Sequence, residues 1–325
     1  MSERVGDGEF LVGGELPRTV RIREVGPRDG FQNEPEVIPT AQKVELIDGL
    51  ARTGLRRIEV TSFVRAEVIP QLADAAEVLE RIEVSPEVAV SVLLPNERGL
   101  DAALEQREKI DEVNVFLSAS ETHNRKNVNR SIAESLAGLE RVLARAREAG
   151  LRCEGVISTS FGCPYEGRVP IERVFELAAR LRDAGAQEIA FGDTTGMANP
   201  LQVRTFFEAA RERLGVSGSR SGSAGLELTA HFHNTRGQGL ANVLAALQAG
   251  VESFESSFGE LGGCPVPPGA TGNIATEDLV SMLREMDIWT GIDLEKLLAC
   301  SRRVQEILGR PLGSHTLVAG PVMWS

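Results

Sequence analysis

The sequence is poor in features that mark several large classes of protein. It has no apolar run of eighteen residues, so no segment is expected to span a membrane. Residues 1–19, MSERVGDGEFLVGGELPRT, lack the basic segment and apolar stretch of a signal peptide; a mobile leader is expected, with order beginning near Thr19. Positive charge is in deficit, with 35 Lys and Arg against 47 Asp and Glu and a formal net charge of −12. Nonspecific nucleic-acid binding needs a basic face to neutralise phosphates and is disfavoured. An anionic ligand would have to be met by a local cluster instead. Cysteine is scarce too: Cys153, Cys163, Cys264 and Cys300 are far apart, with no CxxC pair. That usage fits buried or reactive thiols in a reducing cytoplasm.

What is present is a regular alternation. Short β-branched runs occur at 19–25, 55–62, 87–95, 111–118, 151–160, 187–193, 226–233 and 251–257, and helical periods lie between them. In SIAESLAGLERVLARAREAG (131–150), Ile132, Leu136, Leu139 and Val142 mark one apolar helical face. Gly54, Gly150, Gly185 and Gly250 sit where a glycine ends a helix in a left-handed residue. Eight strand–helix repeats with right-handed crossovers most simply close as a (β/α)₈ TIM barrel, a fold that fills this length as one unit. The rival, an open doubly wound sheet, lacks a GxGxxG opening the first helix. The predicted division is a leader over 1–18, a barrel over 19–290 and an appended C-terminal helical segment over 291–325, with its helix at 294–309. The Gly/Ser-rich stretch 215–226 reads as a plain loop on the barrel's bottom face.

In such barrels chemistry collects after the strands, and the polar, Gly-rich stretches here do so. His231 and His233, in TAHFHN at the end of strand 7, are two apart and share a face. Alone, the pair leaves packed core histidines and metal ligands equally open. Asp29 after strand 1 and Asn273 after strand 8 add a carboxylate and an amide oxygen on neighbouring strand ends. Two nitrogens and two oxygens with positions left open suit six-coordinate Mg²⁺, Mn²⁺ or Co²⁺ better than a closed zinc site. Arg28 reads either as the ion-pair partner of Glu59 or as a fork aimed at an oxygen that gains charge, and both can hold together. Asp193, in GDTTG, reads as a histidine partner, a proton carrier or a plain helix cap. Cys264 lies among glycines and prolines, where a closing loop could deliver its thiol as an acid. Gln32 and Asn96, at the ends of strands 1 and 3, are candidate substrate contacts. The basic run ETHNRKNVNRS after strand 4 places Arg125, Lys126 and Arg130 as candidates for a polyanionic ligand, the alternative being a solvated loop.

Taken together, VGPRDGFQNE, IEVTSFV, GCPYEG, GDTTG, HFHN, GELGGCP and GNIATEDLV resemble the 3-hydroxy-3-methylglutaryl-CoA lyase family, over about residues 20–310. The resemblance implies metal ligands Asp29, His231, His233 and Asn273, Arg28 as enolate stabiliser, Cys264 as catalytic thiol, and Glu59 and Asp193 as supporting groups. It implies an acyl-CoA substrate, cleaved to acetyl-CoA and acetoacetate, with His231 or Asp193 as the base. A homodimer is expected from the appended helix. Family members carry HCHDTYGQ where this chain has Asn234 and Arg236, and GDTIG where it has GDTTG; the first departure removes a carboxylate beside a ligand histidine. The alternatives are a lyase for a related acyl-CoA such as citramalyl-CoA, a condensing synthase, and an inactive barrel used as a binding subunit.

Overall fold

Most strands begin by alternating an apolar residue with a polar or charged one, and the alternation sorts the two faces of a closed sheet. The computed structural model describes residues 16–216, 225–263 and 271–324. Its eight parallel strands are β1 (Arg21–Glu24), β2 (Arg57–Ser62), β3 (Ala89–Leu94), β4 (Glu112–Ser118), β5 (Arg152–Ser158), β6 (Glu188–Asp193), β7 (Glu227–Phe232) and β8 (Ser253–Ser256). They pair in chain order, and β8 closes on β1. Ile22, Ile58, Val60, Val92, Val113, Val115, Ile189, Phe191, Ala230 and Phe254 are buried. Intervening them, from the opposite set of positions, come Arg23, Arg57, Glu112, Glu154, Glu188, Thr229 and Glu255, which meet one another across the barrel.

The barrel interior is therefore ionic, where branched apolar side chains usually fill the layers. Arg23 bonds Glu154, Glu188 (2.5 Å) and Thr229 (3.1 Å), and Arg57 bonds Glu188 (2.9 Å), Glu154 (2.9 Å) and Asn114 (3.0 Å), with Glu112 also against Arg57. Two guanidinium groups thus face an excess of carboxylates. Burial pushes the Glu154 carboxyl up, against the pull of the two arginines that bond it. Glu188 is held far below the usual range, since the two arginines and Thr229 outweigh the same burial.

The helices follow the expected signals. Ser131 and Glu134 cap each other's backbone at the start of Ile132–Glu148, whose residues Leu136, Leu139 and Val142 are buried. Gly54, Gly150, Gly185 and Gly250 all have left-handed φ. After the eighth barrel helix, Thr276–Glu285, comes the appended helix Leu294–Leu308. It buries Leu297, Leu298 and Val304 on its own barrel, and Arg303 pairs with Glu45 at 2.7 Å. That apolar face is therefore used within the chain. A short helix, His315–Ala319, follows it. Most of the 215–226 loop and of the 1–18 leader lies outside the described residues. No helix among the described residues is long and apolar enough to cross a membrane.

The interior network yields a test. Arg23→Met removes one partner and leaves Glu154 and Glu188 facing the remaining charge alone. We expect a loss of about 3–5 kcal/mol of stability in urea unfolding.

Candidate active site

The polar interior continues upward into the barrel mouth, where the strand ends deliver the site. After β1 the chain makes one wide helical turn, Gly26–Gly30, in which the Arg28 and Asp29 amides both bond the Val25 carbonyl, at 3.1 and 2.7 Å. Only glycine fits at its start: a Cβ on Gly26 would lie 2.5 Å from the Phe258 ring. The turn is anchored from behind by Glu24. Its carboxylate accepts from the Gly26 amide (2.8 Å), the Phe258 amide (3.0 Å) and the Thr276 hydroxyl (2.7 Å). Burial nevertheless raises Glu24 to about 7.

Arg28 is oriented from two sides. Its Nε donates to Glu59 Oε2 at 2.5 Å and its Nη1 to Asp29 Oδ1 at 2.6 Å, while Glu59 Oε1 accepts from Asn114 at 2.8 Å. Both sequence readings of Arg28 are thus compatible with its placement: it is ion-paired to Glu59, and it lines the open cleft. Burial opposes ionisation of Asp29, but Arg28 and the two histidines outweigh it and hold the carboxyl below its usual range.

The two histidines present their Nε2 atoms to each other at 3.1 Å, and one ligand atom from each of Asp29, His231 and His233 lies within 4.8 Å of the others. Burial and the neighbouring His231 push His233 down to about 3, so it is a neutral imidazole. His231 is raised: burial lowers it, but Glu255 and Asp29 prevail. Asn273 completes the group. Its Nδ2 donates to Asp29 Oδ2 (2.7 Å) and the Leu261 carbonyl (3.0 Å), and its Oδ1 is buried without a hydrogen-bond partner among the described residues. A bridge between His233 and Asn273 holds the two strand ends together. An ionised carboxylate, a neutral imidazole and a second imidazole at one point, with an amide beside them whose oxygen is left unpartnered, fit a divalent cation with mixed N/O ligands.

This cluster opens into a cleft of about 1570 Å³. Gln32 lines it and donates to Asp29 Oδ1 at 3.1 Å. Asn96 is at its edge, where its side chain caps a helix by accepting from the Gly99 amide at 3.1 Å. The basic run is not a loop but a helix, Glu121–Val128, capped by Ser120 and ended by Asn129 in the left-handed region. Helical phase separates its charges. Lys126 lines the cleft and lies 5.0 Å over the Tyr165 ring, and Arg130 lines the cleft after the helix ends. Arg125 points elsewhere, exposed and paired with Glu121 at 2.8 Å, and does not line the cleft.

Asp193 is neither the helix cap nor a hydrogen-bonded histidine partner. Asn199 caps the next helix, and Asp193 Oδ1 accepts from the Met197 (2.8 Å) and Ala198 (3.1 Å) amides. Its Oδ2 is buried without a partner among the described residues, and burial raises the group to about 6. The carboxylate that does bond one of the two site histidines is Glu255, which the sequence reading did not single out. The signal was available in register, since β7 and β8 place Glu255 opposite His231. Asn234 is not directed at the histidine rings. It donates to Glu260 at 2.8 Å, and Arg236 donates to the Thr195 and Gly196 carbonyls at 2.8 Å each. The missing carboxylate at 234 therefore leaves His231 with its carboxylate partner. Cys264 lies outside the described residues. Cys163 is buried, and burial pushes the Cys153 thiol up to about 12 and Cys300 to about 11.

A (β/α)₈ barrel with an open N/O donor set at the carboxyl ends of its strands defines a barrel enzyme whose chemistry takes place at that mouth. More narrowly, the chain belongs to the HMGL-like family, whose model matches residues 19–304. It is 49% identical to hydroxymethylglutaryl-CoA lyase YngG of Bacillus subtilis, covering 93% of this chain and 97% of that one. It is 44% identical to the mitochondrial hydroxymethylglutaryl-CoA lyase of Bos taurus, over 94% and 91%. Among solved structures, the Bacillus subtilis HMG-CoA lyase superposes with a TM-score of 0.87 at 48% identity, over 93% and 98% of the two chains. An HMG-CoA lyase from Acinetobacter baumannii, solved with coenzyme A and 3-methylmalate, gives 0.87 at 40%, over 94% and 96%.

Gly262 closes the site from the β8 side. Its φ is +90°, and a Cβ there would lie 2.7 Å from Asn273 Nδ2 and 3.1 Å from the Asp29 carbonyl. Gly262→Ala is expected to cost about 1–2 kcal/mol in backbone strain and to displace Asn273 from Asp29. Thermal unfolding and a divalent-cation titration would both register it.

Proposed function

We propose that this protein is a divalent-cation-dependent carbon–carbon lyase that cleaves 3-hydroxy-3-methylglutaryl-CoA to acetyl-CoA and acetoacetate. The observation that carries the reading is the meeting of Asp29, His231 and His233 directly beside the oriented Arg28 guanidinium, at the mouth of a barrel with close lyase relatives. Asp29, His231, His233 and Asn273 would hold the cation. Mg²⁺ or Mn²⁺, and also Co²⁺, suit this set, and the bound ion would lower the pKa of the substrate's tertiary hydroxyl.

The chain's own residues then divide the remaining work. The base that accepts the hydroxyl proton, directly or through a water, is Asp193 or His231; Asp193 is favoured by an Oδ2 with no hydrogen-bond partner among the described residues and a pKa raised by burial to about 6. His231 is less suited, since Glu255 takes its Nδ1 while its Nε2 faces His233. As the hydroxyl loses its proton, its carbon becomes the ketone of acetoacetate. The electron pair of the breaking carbon–carbon bond passes into the thioester, forming an enolate. Arg28, fixed by Glu59 and Asp29, stabilises the charge gained by the thioester oxygen. Cys264 supplies the proton that converts the enolate carbon to the methyl group of acetyl-CoA. Lys126 and Arg130, on the cleft wall, meet the anionic coenzyme A portion.

Acetyl-CoA release from a panel of 3-hydroxy-3-methylacyl-CoA thioesters and citramalyl-CoA tests the assignment. Activity should be highest on the glutaryl compound, vanish with a chelator and return with Mg²⁺ or Mn²⁺. Arg28→Gln should lower turnover by about 10²–10³-fold with the fold intact; near-normal turnover would remove Arg28 from the chemistry.

The two neighbouring basic residues give a sharper contrast. Lys126→Glu should raise KM roughly tenfold, the worth of about one charge-assisted bond. Arg125→Glu should leave KM unchanged, because its side chain does not line the cleft.

A further inference from the structure

The two histidines of the donor cluster are not equivalent, and the difference lies behind them. His231 Nδ1 is 2.8 Å from Glu255 Oε2, and Glu255 Oε1 is 3.5 Å from an Arg23 Nη2 that also holds Glu154. Glu255 is 4% exposed and comes from β8 in direct register with His231 on β7. His233 has no such support: its Nδ1 is buried without a hydrogen-bond partner among the described residues.

We propose that Glu255 is a positioning residue that fixes the ring and tautomer of His231, and that Arg23 fixes Glu255 in turn. The proposal rests on the cation site proposed above. A carboxylate can only accept, so His231 Nδ1 must carry the hydrogen and donate it. The Nε2 lone pair is then directed at Asp29 and His233. A histidine held in this way is the more basic and less mobile donor, and loss of such a partner typically weakens metal binding by about 10–100-fold.

The link to Arg23 adds a mechanical consequence. Arg23 belongs to the interior network that joins β1 to β5, β6 and β7 through Glu154, Glu188 and Thr229. Glu255 is the point at which that network reaches His231. Its carboxylate lines the floor of the cleft while paired with both Arg23 and His231. The ring angle of His231 is therefore set from the barrel interior.

The test compares the wild-type protein with Glu255→Gln and Glu255→Asp. Co²⁺ binding is followed by its visible absorption and Mn²⁺ binding by paramagnetic resonance. Wild type should bind one ion per chain. Glu255→Gln keeps the volume but loses the charge, and should bind about 10–100-fold more weakly, with a shifted Co²⁺ spectrum and with activity largely restored by excess Mn²⁺. Glu255→Asp keeps the charge on a shorter arm and should fall between the two. Should Glu255→Gln fail to fold, Glu255→Asp carries the same comparison. Wild-type affinity, spectrum and metal dependence in a folded variant would overturn the positioning role while leaving the cation site standing. No ion bound by wild type would overturn the cation site itself, and this proposal with it.

Discussion

Two arginines buried among carboxylates hold this barrel in register. Arg23 on β1 and Arg57 on β2 reach across the interior to Glu154 on β5 and Glu188 on β6, so opposite walls are tied by charge-assisted bonds as well as by the sheet's own ladder. Such a network contributes less net stability than its contacts suggest, because every ion in it has been taken out of water. Its stronger effect is on alternatives: a register slip of one residue in any of these strands would turn a buried ion toward the apolar helices. Burial, and then the neighbouring carboxylates, raise Glu154, since four carboxylates, Glu112, Glu154, Glu188 and Glu255, surround two guanidinium groups.

From that base the interior becomes a graded column of polar side chains. Glu227, Thr229 and His231 alternate up β7, and His233 continues the series beyond its end. Glu59 and Glu255 lie between the arginine–carboxylate network and the mouth, one directed to Arg28 and the other to His231. Both the proposed cation ligand His231 and the proposed charge-stabilising Arg28 are therefore backed by carboxylates that are themselves tied down. Preorganisation of this sort matters because groups aimed at developing charge are effective only if they need not reorient as it forms.

Much of this was legible in the sequence, and the remainder separates by physical cause. The eight strands, the glycine stops and the barrel could be read because period and helix termination are local properties. The convergence of Asp29, His231, His233 and Asn273 could be read because barrel closure makes strands 7, 8 and 1 neighbours. Glu255 was missed although its strand had been located: its role depends on pairing register across β7 and β8, which no single segment displays. The ionic interior was missed for a different reason. Charged residues alternate with apolar ones in RIRE, RIEV, EVNV, EIAF and ELTA, but alternation in a barrel is equally compatible with an apolar interior and a polar exterior. Only the covering helices decide which face is inside.

Arg125 shows the limit of reading charge clusters by proximity alone. Arg125 and Lys126 are adjacent in sequence, and in an extended loop one polyanion could meet both. The segment instead folds into a helix because Ser120 caps it and Asn129 ends it, and adjacent helical positions differ by about 100° in direction. One side chain is thereby turned over Tyr165 toward the cleft, and the other toward Glu121 and solvent. For a chain carrying a net charge of −12, this sorting matters. The attraction for an anionic ligand is concentrated at the cleft wall by a few well-directed cations, whereas the overall field of the protein opposes approach everywhere else.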